Sequence, residues 1–199
     1  MGKDVVLLLT YIHLSNYSRT HLFLLYKIKL SFKWQMEFIV GFNLEKFGIS
    51  LIELRNELLQ NIAIFDDAEE MIVKEDPSHL IVWIENQELI GWAIWHESST
   101  NEHRKGSERS ESDRKILEKL IGTNKEIIEL HELWLKKKYR GKGYGKQFFD
   151  FFEDFLLRLG YKRIVYYTDN PAALSICRKR GYKAEYNKEL KWYTLCKML

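Results

Sequence analysis

Residues 139–164 read YRGKGYGKQFFDFFEDFLLRLGYKRI, with Gly141, Gly143 and Gly145 on alternate positions among Arg140, Lys142 and Lys146. In the run that follows, Phe148, Phe151, Phe152, Phe155, Leu156 and Leu159 recur at three- and four-residue spacing, the stripe of a helix packed on one face. Gly160 stands where that helix would be capped, and RIVYYT (163–168) reads as a buried strand. A glycine-rich turn opening a helix lets successive backbone N–H groups face one anion, and the helix N-terminus adds its positive dipole end. Nucleotide loops are excluded by spacing. The P-loop pattern fails because Arg140 sits five before Gly145 and Gln147 follows Lys146, and G-x-G-x-x-G fails because Lys146 stands at its third glycine. What remains is an anion site suited to pyrophosphate, with Lys136, Lys137 and Lys138 adding charge at its rim, or a strand-to-helix turn with a solvated basic face.

Upstream, EIIELHELWL (126–135) is a strand of mixed character that delivers the chain into this turn. Downstream, Asn170 before Pro171 supplies an N-cap and an N1 proline for a helix through Arg180 that Gly181 stops, and YKAEYN and KWYTLCKML are the last strands. Nearer the start, EFIVGF from Glu37 reads as a strand, and Ser50 caps a helix carrying Ile52, Leu54, Leu58, Leu59 and Ile62. A second helical piece over 67–74 ends before Pro77, and HLIVWIEN and ELIGWAIWHE, separated at Asn86 and Gln87, have hairpin spacing. The segment 98–125 is charged and poor in apolar groups in its first half, which predicts a mobile surface insertion ending in a short helix. Strands alternating with helices between hairpin-like ends predict an α/β domain with a mixed sheet.

The composition limits what such a domain can be. The chain has 199 residues and 46% hydrophobic content, enough for one domain with a substantial core. Its 31 Lys and Arg nearly balance 28 Asp and Glu, so no overall field argues for nucleic acid. Two cysteines, Cys177 and Cys196, make no disulfide framework and no Cys/His cluster of zinc-ligand spacing, so no metal is expected and a reducing cytoplasm fits. Residues 1–35 hold two apolar stretches interrupted by Asn16, Ser18, Arg19 and Thr20, each too short to span a bilayer, with no signal-peptide cleavage pattern. They read as an added hairpin or an incidental extension, with the domain proper at 36–199.

The strand, the turn Arg140-Gly141-Lys142-Gly143-Tyr144-Gly145 and the helix together resemble the acetyl-coenzyme A motif [QR]-x-x-G-x-[GA] of the GNAT superfamily of N-acetyltransferases. Asn170, Ala173, Gly181 and Tyr182 stand at the spacing of that family's second motif, N-x-x-A-x-x-x-Y-x-x-x-G-[FY]. The resemblance covers 36–199. It implies a mostly antiparallel sheet flanked by helices, with a splayed strand pair holding acyl-CoA. It also implies acetyl transfer from acetyl-CoA, the cosubstrate, to a primary amine by direct attack in a ternary complex, without a metal. The acceptor expected is a small cationic amine or a peptide amine.

By the same resemblance, Arg140, Gly141, Lys142, Gly143, Tyr144, Gly145 and Lys146 hold the pyrophosphate. Leu133, Trp134 and Leu135 meet the thioester and pantetheine arm through their backbone, and Asn170 and Ala173 touch that arm. Glu129 and His131 stand at positions that carry the general base in some members. Period-two geometry puts both on one face of the strand, which predicts that both face one cleft and leaves Glu132 on the other. Cys177 replaces the usual Tyr that protonates the departing thiolate, and it reads as a catalytic acid or as a small buried hydrophobe. Asp66, Asp67, Glu69 and Glu70 would attract a cationic acceptor or serve as solvated helix-start charges. The alternative from another class is an acyl-CoA-binding regulatory or interaction module without turnover. A module binding nucleic acid or an anionic membrane through its lysines ranks below both. A homodimer is compatible with the sequence.

Overall fold

The computed structural model describes residues 36–40, 72, 75–86, 88–104 and 106–199. The helix expected over 50–62, most of the piece at 67–74, the acidic cluster at 66–70 and the extension 1–35 lie outside the described residues. Contacts divide the chain into two compact units, one ending at Ile94 and one running from Trp95 to Leu199.

In the first unit β1 (Met36–Val40) pairs antiparallel with β2 (Leu80–Glu85), which pairs antiparallel with the start of β3 (Glu88–Ser99). Asn86 takes the left-handed conformation that a tight hairpin turn requires, φ 51°, which the short polar side chain of Asn tolerates. All of β2 is buried, and the Phe38 and Trp83 rings meet at 5.7 Å.

The second unit begins with the end of β3, then β4 (Glu102–Arg104) and β5 (Ser107–Glu108), a small antiparallel pair. Helix α1 (Glu111–Ile121) follows, with the Ser110 hydroxyl accepting from the Asp113 N–H. Then come β6 (Glu126–Leu135), α2 (Tyr144–Arg158), β7 (Arg163–Thr168), α3 (Pro171–Lys179), β8 (Lys183–Asn187) and β9 (Trp192–Met198). The ladders run β6–β7–β9–β8, parallel between β6 and β7 and antiparallel at the other two. A parallel neighbour needs a crossover, and α2 supplies it. The chain is thus α/β with mixed, mostly antiparallel strand pairing, as expected.

The phenylalanine stripe explains how α2 is held. Phe148, Phe149, Phe152 and Leu156 are fully enclosed, Phe148 stacks on Phe152 at 5.3 Å, and Trp95 meets Phe155 edge-on at 5.8 Å. Each buried Phe contributes about 1.5–3 kcal/mol of transfer free energy. Leu159, at the far end of the stripe, is 40% exposed instead, because it is the C-cap, where the helix turns into Gly160 at φ 86°. The Tyr161 N–H then reaches back to the Leu156 carbonyl and the Gly160 N–H to that of Leu157, satisfying carbonyls left free at the helix end. No helix among the described residues is long and apolar enough to cross a membrane.

Segment 98–125 departs from expectation in its middle. There a short ladder and the buried Arg109 stand among exposed and half-buried residues, and the closing helix follows as foreseen. Charge in this segment is partly interior because it covers the β6 carboxylate described next.

Candidate functional site

The β6/β7 register runs from Ile128 opposite Ile164 to Leu130 opposite Tyr166, and there the pairing stops. Both strands continue, β6 to Leu135 and β7 to Thr168, so their ends splay. A cleft of about 470 Å³ opens between them, lined by His131, Glu132 and Leu133 on one side and by Tyr166–Asn170 and Leu190–Trp192 on the others. Trp134 and Leu135 follow Leu133 along the half-buried strand end.

The chain then turns through a short 3-10 segment into the glycine loop, where the Arg140 Nε donates to the Leu135 carbonyl at 2.8 Å and ties loop to strand. Gly141 and Gly143 take φ 74° and 89°, values that disfavour any residue with a Cβ. Open space surrounds both, whereas a Cβ on Gly145 would come within 3.3 Å of Ile176. Two glycines therefore shape the loop, and the third lets α2 approach α3. The first bond into α2 runs from the Gln147 N–H to the Gly143 carbonyl, so the N–H groups of Gly145 and Lys146 precede it and project from the helix start. Lys137, Lys138, Arg140, Lys142 and Lys146 are exposed around this turn. Lys136 beside them is pushed below the usual lysine value by partial burial and the Lys138 charge. Open glycines, unpaired helix-start donors and surrounding cations fit the pyrophosphate of acetyl-CoA.

Asn170 caps α3 by accepting from the N–H groups of Ala172 and Ala173, and it lines the cleft as well. Cys177 lies on that helix at 0% exposure, its thiol pushed up to about 12 by burial and by the nearby Glu153 carboxylate. It is not among the cleft residues, so the second of its two readings, the small buried hydrophobe, is the one its surroundings favour.

Glu129 and His131, expected to face one cleft, differ in exposure, with His96 between them. His131 is half-buried and opens on the cleft together with Glu132, while Glu129 is 0% exposed and faces the interior of the unit. Glu129 is enclosed by Arg109. Its Nη2 donates to Glu129 Oε2 at 2.6 Å and to Ser98 Oγ at 2.8 Å. Its Nη1 donates to Asp113 Oδ2 and to the Tyr167 hydroxyl at 2.8 Å each, and its Nε donates to the Ser99 carbonyl at 2.7 Å. The Tyr167 hydroxyl in turn donates to Asp113 Oδ2 at 3.0 Å. His103 Nδ1 lies 2.9 Å from Glu129 Oε1 and His96 Nε2 lies 3.8 Å from it. Burial alone would raise the Glu129 carboxyl, but the His103 contact and the Arg109 charge outweigh it and hold it at about 2. Burial lowers His96 below the ordinary imidazole value, with Glu129 opposing, and its Nδ1 lies 3.0 Å from the Glu97 carbonyl. The His96 and His131 rings stand 5.8 Å apart, so His131 joins the cleft to this interior cluster.

His96, His103, Arg109 and Asp113 did not emerge from the sequence. They come from β3, β4, the loop before α1 and α1 itself, and the one local signal is Arg109 four residues before Asp113, an ordinary helix-surface spacing.

A parallel strand pair that splays beyond Leu130 and runs on into a glycine turn at the start of α2 defines the α/β class of this domain. The family model for the Acetyltransferase (GNAT) family matches residues 49–182, more than half of the chain, and the protein belongs to that family. No curated protein matches it significantly in sequence. Among solved structures it is similar to the NatC complex bound to Gag peptide and CoA, at 14% identity and TM-score 0.53 over 82% of this chain and 98% of that one. Naa50 of Arabidopsis thaliana in complex with the bisubstrate analogue CoA-Ac-MVNAL aligns at 13% identity and TM-score 0.52, over 82% and 99% of the two chains. A Drosophila melanogaster polyamine N-acetyltransferase aligns at 11% and 0.50, over 68% and 82%. At these identities the likeness is one of fold.

Proposed function

We propose that this acetyltransferase moves an acetyl group from acetyl-CoA to a primary amine by direct attack, with the β6/β7 splay receiving the thioester arm and the 140–146 turn receiving the pyrophosphate. The observation that carries the reading is the end of strand pairing at Leu130 and Tyr166, which leaves Leu133 on an open cleft and Trp134 and Leu135 next along the strand that runs into the glycine loop. Backbone N–H groups near Leu133 and Trp134 would stabilise the oxyanion that develops on the thioester carbonyl.

An alkylammonium near pKa 10 must lose a proton before it attacks. Of the two bases considered, His131 suits the task, because it faces the cleft and an imidazole titrates near neutral pH. Glu129, charged and fully enclosed, acts from behind as a fixed anion. Glu132 and Asp169 line the same cleft and would attract a cationic amine. Amine and peptide acetyltransferases both occur among the structural neighbours, which supports either acceptor class.

The test is release of free thiol from acetyl-CoA over a panel of polyamines, amino acids and peptides, with acetyl-CoA affinity measured alongside. His131→Ala is expected to lower kcat about 100-fold or more while acetyl-CoA affinity holds, the scale of a lost general base. Acetyl-CoA binding without thiol release for any amine would overturn transfer in favour of a binding module without turnover.

A further inference from the structure

We propose that His96, His103 and Glu129 form a binding site for one divalent first-row transition ion, zinc by the chemistry of the donors. The three residues each present a ligand atom, and these atoms lie within 4.8 Å of one another. The inference goes beyond acetyl transfer and does not rest on it.

The set has the composition of a metal site. Two imidazoles and one carboxylate favour zinc and its neighbours over magnesium or calcium, which take oxygen ligands. In a tetrahedral site with bonds of about 2.0–2.2 Å, neighbouring donors stand roughly 3.3 Å apart. His96 Nε2 and Glu129 Oε1 are 3.8 Å apart, and His103 Nδ1 and Glu129 Oε1 are 2.9 Å apart, one slightly wide and one slightly narrow. Closing the trio on an ion takes side-chain adjustments on the order of an ångström.

The surroundings orient the donors as metal sites require. The bond between His96 Nδ1 and the Glu97 carbonyl at 3.0 Å puts the ring proton on Nδ1 and leaves the Nε2 lone pair directed at Glu129. That Nε2 is buried without a hydrogen-bond partner on a side chain 4% exposed. A 3.8 Å gap is too long for a direct hydrogen bond, so the lone pair needs a third party. On the other side, Arg109 takes Glu129 Oε2 at 2.6 Å, and Oε1, which His103 Nδ1 meets at 2.9 Å, turns to the ion when that ring gives up its Nδ1 proton on binding. Ser98 Oγ bonds the His103 carbonyl and fixes the hairpin that carries this ligand. The His103 side chain is 40% exposed, which provides an entry path and an open position for water or another ligand. A water molecule in place of the ion would also fill the gap, and it predicts no retained metal.

The experiment strips the full chain with a chelator, adds Zn²⁺ or Co²⁺, removes the excess and measures metal per chain, with visible absorption reporting the Co²⁺ ligand field. One ion per chain is expected, with a rise in Tm on Zn²⁺ addition. His103→Ala, which alters the exposed ligand and should fold, is expected to weaken binding at least about 100-fold and to abolish the Tm rise. His131→Ala, close by but outside the trio, should retain the ion. Absence of a retained ion in the unmodified protein, equal affinity in His103→Ala, or loss of the ion in His131→Ala would each overturn the site.

Discussion

Along β6 the chain passes from an interior electrostatic knot at Glu129 to an open cleft edge at Leu133–Leu135, and the two ends are built on opposite principles. At Glu129 every donor of a fully buried guanidinium has a partner, and the partners come from four stretches of chain. Around the cleft and the 140–146 turn, backbone donors, lysines and glycines remain open toward solvent. One end gains order from contacts made on folding, the other exposes cations and glycines to solvent. Substitutions at the first end should therefore act on stability, and those at the second on binding.

The strongest challenge to that contrast is Arg109→Ala, which strands the Glu129 carboxylate in the interior. A loss of about 3–5 kcal/mol in unfolding free energy is expected by urea denaturation, the scale for breaking a buried pair by removing one partner. A loss under about 1 kcal/mol would mean that the knot is not a unit. At the other end, Gly143→Ala forces a Cβ onto a residue at φ 89° that meets no neighbour, so the effect is conformational. The expected result is acetyl-CoA affinity weakened about tenfold, from a backbone penalty of roughly 1–2 kcal/mol, with a small change in Tm. Unchanged affinity would remove the loop from the cofactor site.

A second charge cluster sharpens the stability side. Glu153 accepts from Arg180 at 2.8 Å and from Lys197 at 2.5 Å. Burial would raise its carboxyl, but these two cations outweigh it and hold it below the ordinary 4.5. Because the folded value is the lower one, the stabilisation is present above about pH 4.5 and is lost as pH falls through the folded value. Tm should therefore drop on acidification in that window, and Glu153→Gln should make the drop shallower. Identical acid profiles for the two proteins would exclude this cluster from acid sensitivity. The smallest effect is expected at Cys177, where Cys177→Ala should leave kcat within about twofold, because the thiol is enclosed and stays protonated. A hundredfold fall in kcat with unchanged Tm would restore it as the acid.

The legible parts were those whose physics is local. The stripe Phe148–Leu156, the Asn170 cap and the glycine turn each depend on residues within a few positions and are found where spacing put them, and Gly160 follows the C-cap Leu159 by one residue. The strand alternation of 126–135 was read equally well, yet it did not show that Arg109, His103 and His96 would enclose Glu129. Period two tells which residues share a face, and it does not tell what covers that face. Nothing near Arg109 in sequence indicates that it will meet a carboxylate twenty residues on, since the surrounding charges are those of a solvated segment. The same holds for His96 and His103, which lack the short ligand spacings that mark a metal site in sequence.

The sequence by itself determined the family, the α/β class, the order of elements from 126 to 199 and the glycine-and-lysine turn, because these follow from local propensity, capping and backbone freedom. Only the tertiary structure decided that Glu129 is sealed behind Arg109 and that two histidines from β3 and β4 converge on it. Those outcomes depend on which segment covers which face of β6, a choice made by long-range burial and charge pairing that no window of sequence contains.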